Sequence, residues 1–353
     1  MKRRNIILLL LAHNILCITL FGQTNNTIFD KLDSSLENQF GNKFSFSVLI
    51  ADNDTISFNK NYGYANTSNR TKTDQNTLYH IASITKSITA VGIFKLVEEK
   101  MISLSDTLSK FFNNVPPDKQ SISIADLLCH KSGFAQNYVN YGIKESGDAL
   151  NALLNDSLIS TPGNDFHYSN QNFELLALVI EKVTGTKYED YIRKVILRPL
   201  KMTNTFFWDE VRENKNVADI GGDFADSLLD RNWDYIGSGG IYSTAGDLYK
   251  FIKGVIEHRV ISQRTTELML TGQYKTGSGI EICYGWFKNE KTNWESSEIW
   301  TRGTESWGHN AVIRWFPAKE TIIIVLTNSG EIGDKQNTGN RLISEYVADF
   351  LWN

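Results

Sequence analysis

Ser83 and Lys86 stand three residues apart in the stretch IASITKSIT, residues 81–89, where an apolar run begins. Positions i and i+3 share one face of a helix, so hydroxyl and amine can touch. A serine hydroxyl is a poor nucleophile until a base takes its proton. A lysine serves as that base only where burial or nearby positive charge depresses its pKa. A serine at a helix N-terminus gains a second advantage, because its backbone N–H can donate to an oxyanion developing at the attacked carbonyl. Alone, S-x-x-K fixes two positions out of four and is common by chance. An ordinary helix carrying a hydroxyl and a solvated ammonium satisfies it equally well.

The elements that would position this pair follow from apolar periodicity. FSFSVLIAD (44–52) and TISFNKNYGYA (55–65) read as two strands joined by Asp52, Asn53 and Asp54. A helix over 83–100 is apolar at Ile84, Ile88, Val91, Phe94 and Val97, on more than one face, which predicts a central position. Residues 103–230 read as mostly helical, punctuated by Pro116-Pro117, Gly133 and Pro162-Gly163. Within them NQNFELLALVIEKVTG (170–185) is a periodic helix with Gly185 as its stop signal. GSGGIYSTAGDLYKFIKGVI (237–256) is a glycine turn and then a helix that Thr244 and Asp247 would cap. The end of the chain returns to strands, IEICYGWFK (280–288), AVIRWF (311–316) and TIIIVLTN (321–328), and closes with the helix NRLISEYVADFLW. The order predicts an α+β fold: an antiparallel sheet flanked by helices and built from both ends of the chain, with an inserted helical lobe at about 103–230. Only Pro116-Pro117 resembles a linker, so 24–353 reads as one domain.

At 353 residues and 41% hydrophobic, the chain can bury one large core or two smaller ones. A formal charge of −4 argues against a nucleic-acid partner. The start, a basic MKRRN, an apolar run over 6–21 and Gly22, has the form of a secretory signal over residues 1–22. His13 and Asn14 make the run short and impure for a spanning helix, so an uncleaved anchor is the lesser reading. Lipid attachment at Cys17 is disfavoured by the bulk of Asn14, Ile15 and Leu16. Cleavage would take the charge to −7 by removing Lys2, Arg3 and Arg4 from a chain at −4, and predicts a periplasmic or secreted protein with no membrane partner beyond export. Cys129 and Cys283 then remain, as a disulfide or as two buried thiols. No Cys/His cluster has metal-ligand spacing, so no catalytic metal and no cofactor is implied.

Several blocks in fixed order change the weight of Ser83 and Lys86. The context TLYHIASITKSITAVGIFKLVEEKMISLSDTLSKFF resembles the serine β-lactamase and penicillin-binding-protein-like family, in its class C and esterase-like branch. LLCHKSGF (127–134), Tyr168-Ser169-Asn170 within TPGNDFHYSNQNFELLALVIEKVTG, LRPLKMTNTFF (197–207), GSGGIYSTAGDLYKF and PAKETIIIVLTN resemble its later segments, so that the resemblance spans about 44–350. It implies that Ser83 is the acylated nucleophile and that Lys86 takes its proton or holds the positive field that activates it. Tyr168, as phenolate or relay, would pass a proton to the leaving group and activate water. A phenol of ordinary pKa about 10 needs a cation such as Lys86 to ionise near neutrality. Asn170 would hold Lys86 and the substrate's amide. The plainer accounts are that Tyr168 is an aromatic packed before a helix and that Asn170 is the N-cap of the helix after it.

The third motif departs from the family, which carries Lys-Thr-Gly or His-x-Gly on a strand beside the nucleophile. Lys275-Thr276-Gly277 matches in letters but precedes YGWF, whereas the family's motif follows it; QYKTGSG reads as a surface loop. In the right place stands IWTRGTESWGHNAVIRWFP (299–317), which puts Thr301-Arg302-Gly303 in the motif and makes Thr304 N–H the second oxyanion donor. No Lys or His fills the first position; Arg302 and His309 are the candidates for the missing positive charge, and alternation along the strand leaves open which face Arg302 takes. The resemblance thus implies a serine hydrolase acting through an acyl-enzyme on an amide, lactam or ester of a small molecule or peptide, as a D-alanyl-peptidase, β-lactamase or carboxylesterase. The rival is a non-catalytic penicillin-binding or sensor homologue that keeps the pocket without turnover. A Ser-His-Asp hydrolase is a poorer reading, since no G-x-S-x-G elbow is present.

Overall fold

A computed structural model of the chain describes residues 28–41, 43–219, 230–305, 308–328 and 338–353. The expected signal over 1–22 lies outside them. Residues 28–41 are helical and fall in one unit of the chain; the unit 44–353 carries everything below. Among the described residues no helix is long and apolar enough to cross a membrane.

Both ends of the second unit build one antiparallel sheet. From the front come β1 (Phe46–Asp52) and β2 (Thr55–Tyr62), joined by a hairpin in which Asn53 (φ +47°) and Asp54 (φ +64°) take the left-handed conformation such a tight turn needs. β3 (Tyr64–Asn66) and β4 (Thr71–Lys72) form a separate small hairpin. β5 (Tyr79–His80), β6 (Phe206–Phe207) and β7 (Ile241–Ser243) form a second sheet in the order β5-β7-β6. From the back come β8 (Tyr274–Lys275), β9 (Glu281–Ile282), β10 (Phe287–Asn289), β11 (Glu298–Thr304), β12 (Asn310–Phe316) and β13 (Thr321–Thr327). The main sheet runs β2-β1-β13-β12-β11-β10-β9-β8, with Phe46 opposite Thr327 where front and back meet.

Strands β1 and β13 are buried almost throughout because both sheet faces are covered. Ile322, Ile324 and Leu326 point with Leu49, Ala51 and Ile313 into the large core shared with the helices. On the alternate face Arg314 reaches the closing helix, Gly339–Trp352, through a 3.0 Å bond from Nε to Ser344 Oγ. The helix Ile84–Glu98 is buried on nearly all sides, as its apolar residues on several faces require. Between the halves lies the inserted lobe. Its longest helices are Ser146–Asn155 and Gln171–Thr184, the latter ended by Gly185 at φ +67°. Long irregular connections join them, and Phe206–Phe207 leaves the lobe to pair with β7, so the lobe is less helical than its apolar periodicity predicts. The helix Ala245–Ile256 is capped by Thr244, whose side chain accepts from Asp247 N–H at 3.2 Å.

Cys129 and Cys283 are free thiols, both buried, with Sγ turned to the carbonyls of Ala125 and Leu270. Burial pushes each thiol up to about 12, so neither is a ready nucleophile. The melting temperature should therefore be the same with and without a reductant, and both thiols should react with a maleimide only after denaturation. A drop in melting temperature on reduction would show a disulfide instead.

Candidate active site

The chain leaves β5 and turns sharply into the helix Ile84–Glu98 through Ala82, a non-glycine residue held at φ +46°. That turn puts Ser83 at the helix N-cap with its side chain free of any capping bond. Lys86, one turn on, is buried, and its ammonium donates to Ser83 Oγ at 2.9 Å and to the carbonyl of Ser238 at 2.7 Å. Tyr168 O–H donates to Ser83 Oγ at 2.8 Å. The Lys86 ammonium also lies 5.2 Å from the centre of the Tyr168 ring and 5.9 Å from that of Phe173. Ser83, Lys86 and Tyr168, separated in sequence, thus meet at one oxygen.

Asn170 stands at the N-cap position of the helix Gln171–Thr184, yet its side chain makes no capping bond. Its amide oxygen is buried, lacks a hydrogen-bond partner among the described residues, and belongs to a side chain that lines the cleft. Helix capping therefore does not account for it. The lysine's second acceptor is Ser238 rather than Asn170. Gly237, at φ +82°, packs its backbone where a Cβ would lie 2.3 Å from the Phe173 carbonyl, and so brings the Ser238 carbonyl within reach of Lys86.

Strand β11 closes the other side of the cleft. A Cβ on Gly303 would lie 2.1 Å from the Ile81 carbonyl oxygen and 2.8 Å from Ser83 N, so only glycine lets the strand lie this close to the nucleophile. Thr301, two residues back on the same strand face, touches the same helix: its Oγ1 is 2.8 Å from Ser87 Oγ. Arg302 projects from the opposite face, exposed, with its guanidinium 5.6 Å from the Trp300 ring, and reaches only the rim of the cleft. Thr304 lines the cleft beside Glu305. Lys275 sits on β8, three strands from β11 in the sheet, rather than in a loop; it is exposed, 3.3 Å from Glu290, and its neighbour Thr276 lines the cleft.

His309 does not fill the missing cationic position. It is fully buried, its Nδ1 accepts the His80 backbone N–H at 2.9 Å, and burial pushes its imidazole down to about 4, so it is neutral at ordinary pH. A second histidine, His130 in LLCHKSGF, belongs to the site although its spacing did not mark it. Its ring lies 4.5 Å from the Tyr168 ring, and its Nδ1 accepts from Ser169 N–H at 3.2 Å. Burial and the nearby Lys86 push it down to about 3. A neutral imidazole so fixed holds the Tyr168 ring in place without competing for the cation. The cleft, about 360 Å³, is walled by Phe166, Trp286, Phe287 and Trp300 and, among the described residues, contains one acid, Glu305. Among the described residues no group of His, Cys, Asp and Glu side chains could hold a metal.

A family model described as Beta-lactamase matches residues 35–348. Among relatives, Protein flp of Staphylococcus aureus (strain MRSA252) is 34% identical over 199 residues, 53% of this chain and 40% of that protein. The chain thus matches about two fifths of the length of that relative. A solved octameric penicillin-binding protein homologue from Pyrococcus abyssi is similar with a TM-score of 0.78 and 27% identity over 91% of this chain and 77% of that one. A class C beta-lactamase mutant shares the fold with a TM-score of 0.78 at 19% identity, over 93% of this chain and 97% of that one.

The glycine contact sets up a contrast between the two candidate third motifs. Gly303→Val should abolish labelling of Ser83 by a fluorophosphonate, and Lys275→Ala should keep the labelling rate within about threefold, as surface substitutions do. Circular dichroism checks that both fold. A dead Lys275→Ala protein would place the motif at 275–277.

Proposed function

The chain belongs to the beta-lactamase family, and from that premise we propose that it is a serine hydrolase working through an acyl-enzyme at Ser83. The observation that carries this is the convergence of Lys86 and Tyr168 on Ser83 Oγ, at 2.9 and 2.8 Å. In the reactive form Tyr168 is a phenolate beside the Lys86 ammonium and accepts the Ser83 proton as Oγ attacks the carbonyl. The oxyanion is met by the backbone N–H groups of Ser83 and Thr304, the second brought close by Gly303. Tyr168 then passes its proton to the leaving group and, after that group departs, draws one from the water that releases the acyl chain. Asn170, with its unpartnered amide oxygen, binds the N–H of an amide in the substrate.

The substrate is an ester, amide or lactam of a small molecule or peptide. Thr301, neutral where the family carries a cation, removes the usual partner for a carboxylate at that position, and the aromatic walls suit an apolar acyl group. This favours carboxylesterase chemistry over β-lactam or D-alanyl-peptide hydrolysis, with Arg302 at the rim as the remaining partner for an anionic group further along the substrate. The same neutral Thr301 supports the second reading, a penicillin-binding or sensor homologue without turnover. Export through residues 1–22 to the periplasm or beyond is part of the proposal.

A fluorescent penicillin and a chromogenic short-chain ester, offered to the protein with Ser83→Ala as control, separate these readings. Ester turnover lost in Ser83→Ala is expected; labelling by the penicillin without turnover of either compound would favour the sensor. Lys86→Ala should lower ester turnover about 10²–10⁴-fold at neutral pH. A fully active Lys86→Ala protein would rule the mechanism out.

A further inference from the structure

The second oxyanion donor sits on the least supported part of its strand. Among the described residues β10 pairs with β11 only as far as Trp300, so beyond it β11 has β12 on one side and the cleft on the other. Gly303 is needed there for its missing Cβ, yet glycine restrains its own backbone least of all residues. The peptide unit between Gly303 and Thr304 therefore needs fixing from outside if its N–H is to meet a charge at one defined place.

Strand alternation tells which way that unit points. Glu305 N–H donates to the His309 carbonyl at 3.0 Å, across to the β12 side. Gly303, two residues earlier and opposite Ala311, turns its N–H and C=O the same way. Thr304, between the two, turns its N–H toward the cleft. The Gly303 carbonyl and the Thr304 N–H are opposite ends of one planar unit, so whatever holds the carbonyl aims the N–H.

Asn340 holds that carbonyl. It is the second residue of the closing helix Gly339–Trp352 and is fully buried. Gly339 lets the helix start lie close against the sheet, since a Cβ there would be 3.0 Å from the Phe44 ring and 3.3 Å from Thr327 Cγ2. Asn340 Nδ2 donates to the Ala311 carbonyl at 2.7 Å and to the Gly303 carbonyl at 3.3 Å. The amide is fixed this way round because Arg341 N–H, which can only donate, lies 2.7 Å from Oδ1, and Thr338 O–H donates to the same oxygen. One buried side chain thus ties a helix start to the carbonyls of two paired strands.

We propose that Asn340 is a positioning residue for the oxyanion site, fixing the 303–304 peptide from the closing helix. By hydrogen bonding the Gly303 carbonyl it also polarises the unit and makes Thr304 N–H a stronger donor. The inference rests on Ser83 as nucleophile and on Thr304 N–H as its partner at the oxyanion. Asn340 itself touches no substrate and moves no proton.

Asn340→Ala and Asn340→Leu both remove the amide, the first leaving space and the second filling it. Thermal melting shows which of them is folded. On each, kcat and KM are measured for the chromogenic short-chain ester, together with the inhibition constant of a trifluoromethyl ketone carrying the same acyl group. Ser83 Oγ bonds to the ketone carbon, the C=O π pair moves onto oxygen, and the hydroxyl proton passes to Tyr168, which leaves a stable oxyanion in the site. The ketone therefore reads what the transition state needs, whereas KM reads binding of the ground state. Acylation and deacylation both pass through the oxyanion, so kcat falls whichever is slower.

In both variants kcat and ketone affinity should each fall about tenfold, less than the 10²–10³-fold cost of deleting an oxyanion donor outright, with KM within about twofold. Recovery in Asn340→Leu alone would show that the side chain only fills space, and overturns the proposal. A rise in KM that matches the loss of ketone affinity marks a loosened cleft and overturns it too, as does no change in either. The nucleophile is tested separately, in the wild type against Ser83→Ala. A wild type that binds the ketone no more tightly than Ser83→Ala overturns the nucleophile, and the role of Asn340 with it.

Discussion

A lysine ammonium taken out of water has to be met on every side, and the interior of this protein is arranged around that requirement at Lys86. Two oxygen acceptors, Ser83 Oγ and the Ser238 carbonyl, take its N–H groups, and two rings turn their faces to it. Removing such a group from water without compensation costs several kcal/mol. The acceptors and rings come from four places in the chain: the turn before the helix Ile84–Glu98, the segment at Tyr168, the helix after it, and the glycine turn at 237–240. Each must converge to within hydrogen-bond or van der Waals distance. The site is thus a consequence of burying one charge, and the elements that bury it are the ones that could use it.

Much of this was legible in the residues, for physical reasons that differ from place to place. The sheet shared by both ends was readable because its strands are long, apolar and bounded by turn residues. Ser83 and Lys86 were readable because helical spacing is local, and Gly303 because its distance from the strands that follow is also local. What escaped was assembled at long range. His130 and Ser238 have no spacing in common with Ser83 and Lys86, and only the folded chain brings them to the site. His309 misled for the converse reason. A histidine in a motif-like stretch looks available until its burial and its bond to the His80 amide are seen. The two-residue strands β5 and β6 carry too few residues for any periodicity, and the lobe holds its helices together with irregular segments that no pattern announces.

Strand β11 divides its labour by simple alternation. Thr301 and Gly303 face the helix of the nucleophile, one in contact and the other leaving space, while Trp300 and Arg302 stand on the other face, where they border the cleft with the guanidinium 5.6 Å from the ring. A charge moved by a single residue along a strand changes faces altogether. Arg302 is therefore no stand-in for a cation at position 301, however close the two are in sequence. The side chains beside the nucleophile's helix are neutral, and the positive charge of the strand stands at the border of the cleft.

The pairing of Phe46 with Thr327 has a bearing on how the molecule comes into being. Strand β1 cannot find its neighbour β13 until the residues between Phe46 and Thr327 have been made. Contacts of such long sequence separation are slow to form, since most of the loop-closure entropy is lost before any of them forms. Until then β1 and β2 are a hairpin with a bare apolar edge, in need of a chaperone or of delay. The hairpin therefore keeps that edge unpaired until β13 has been synthesised.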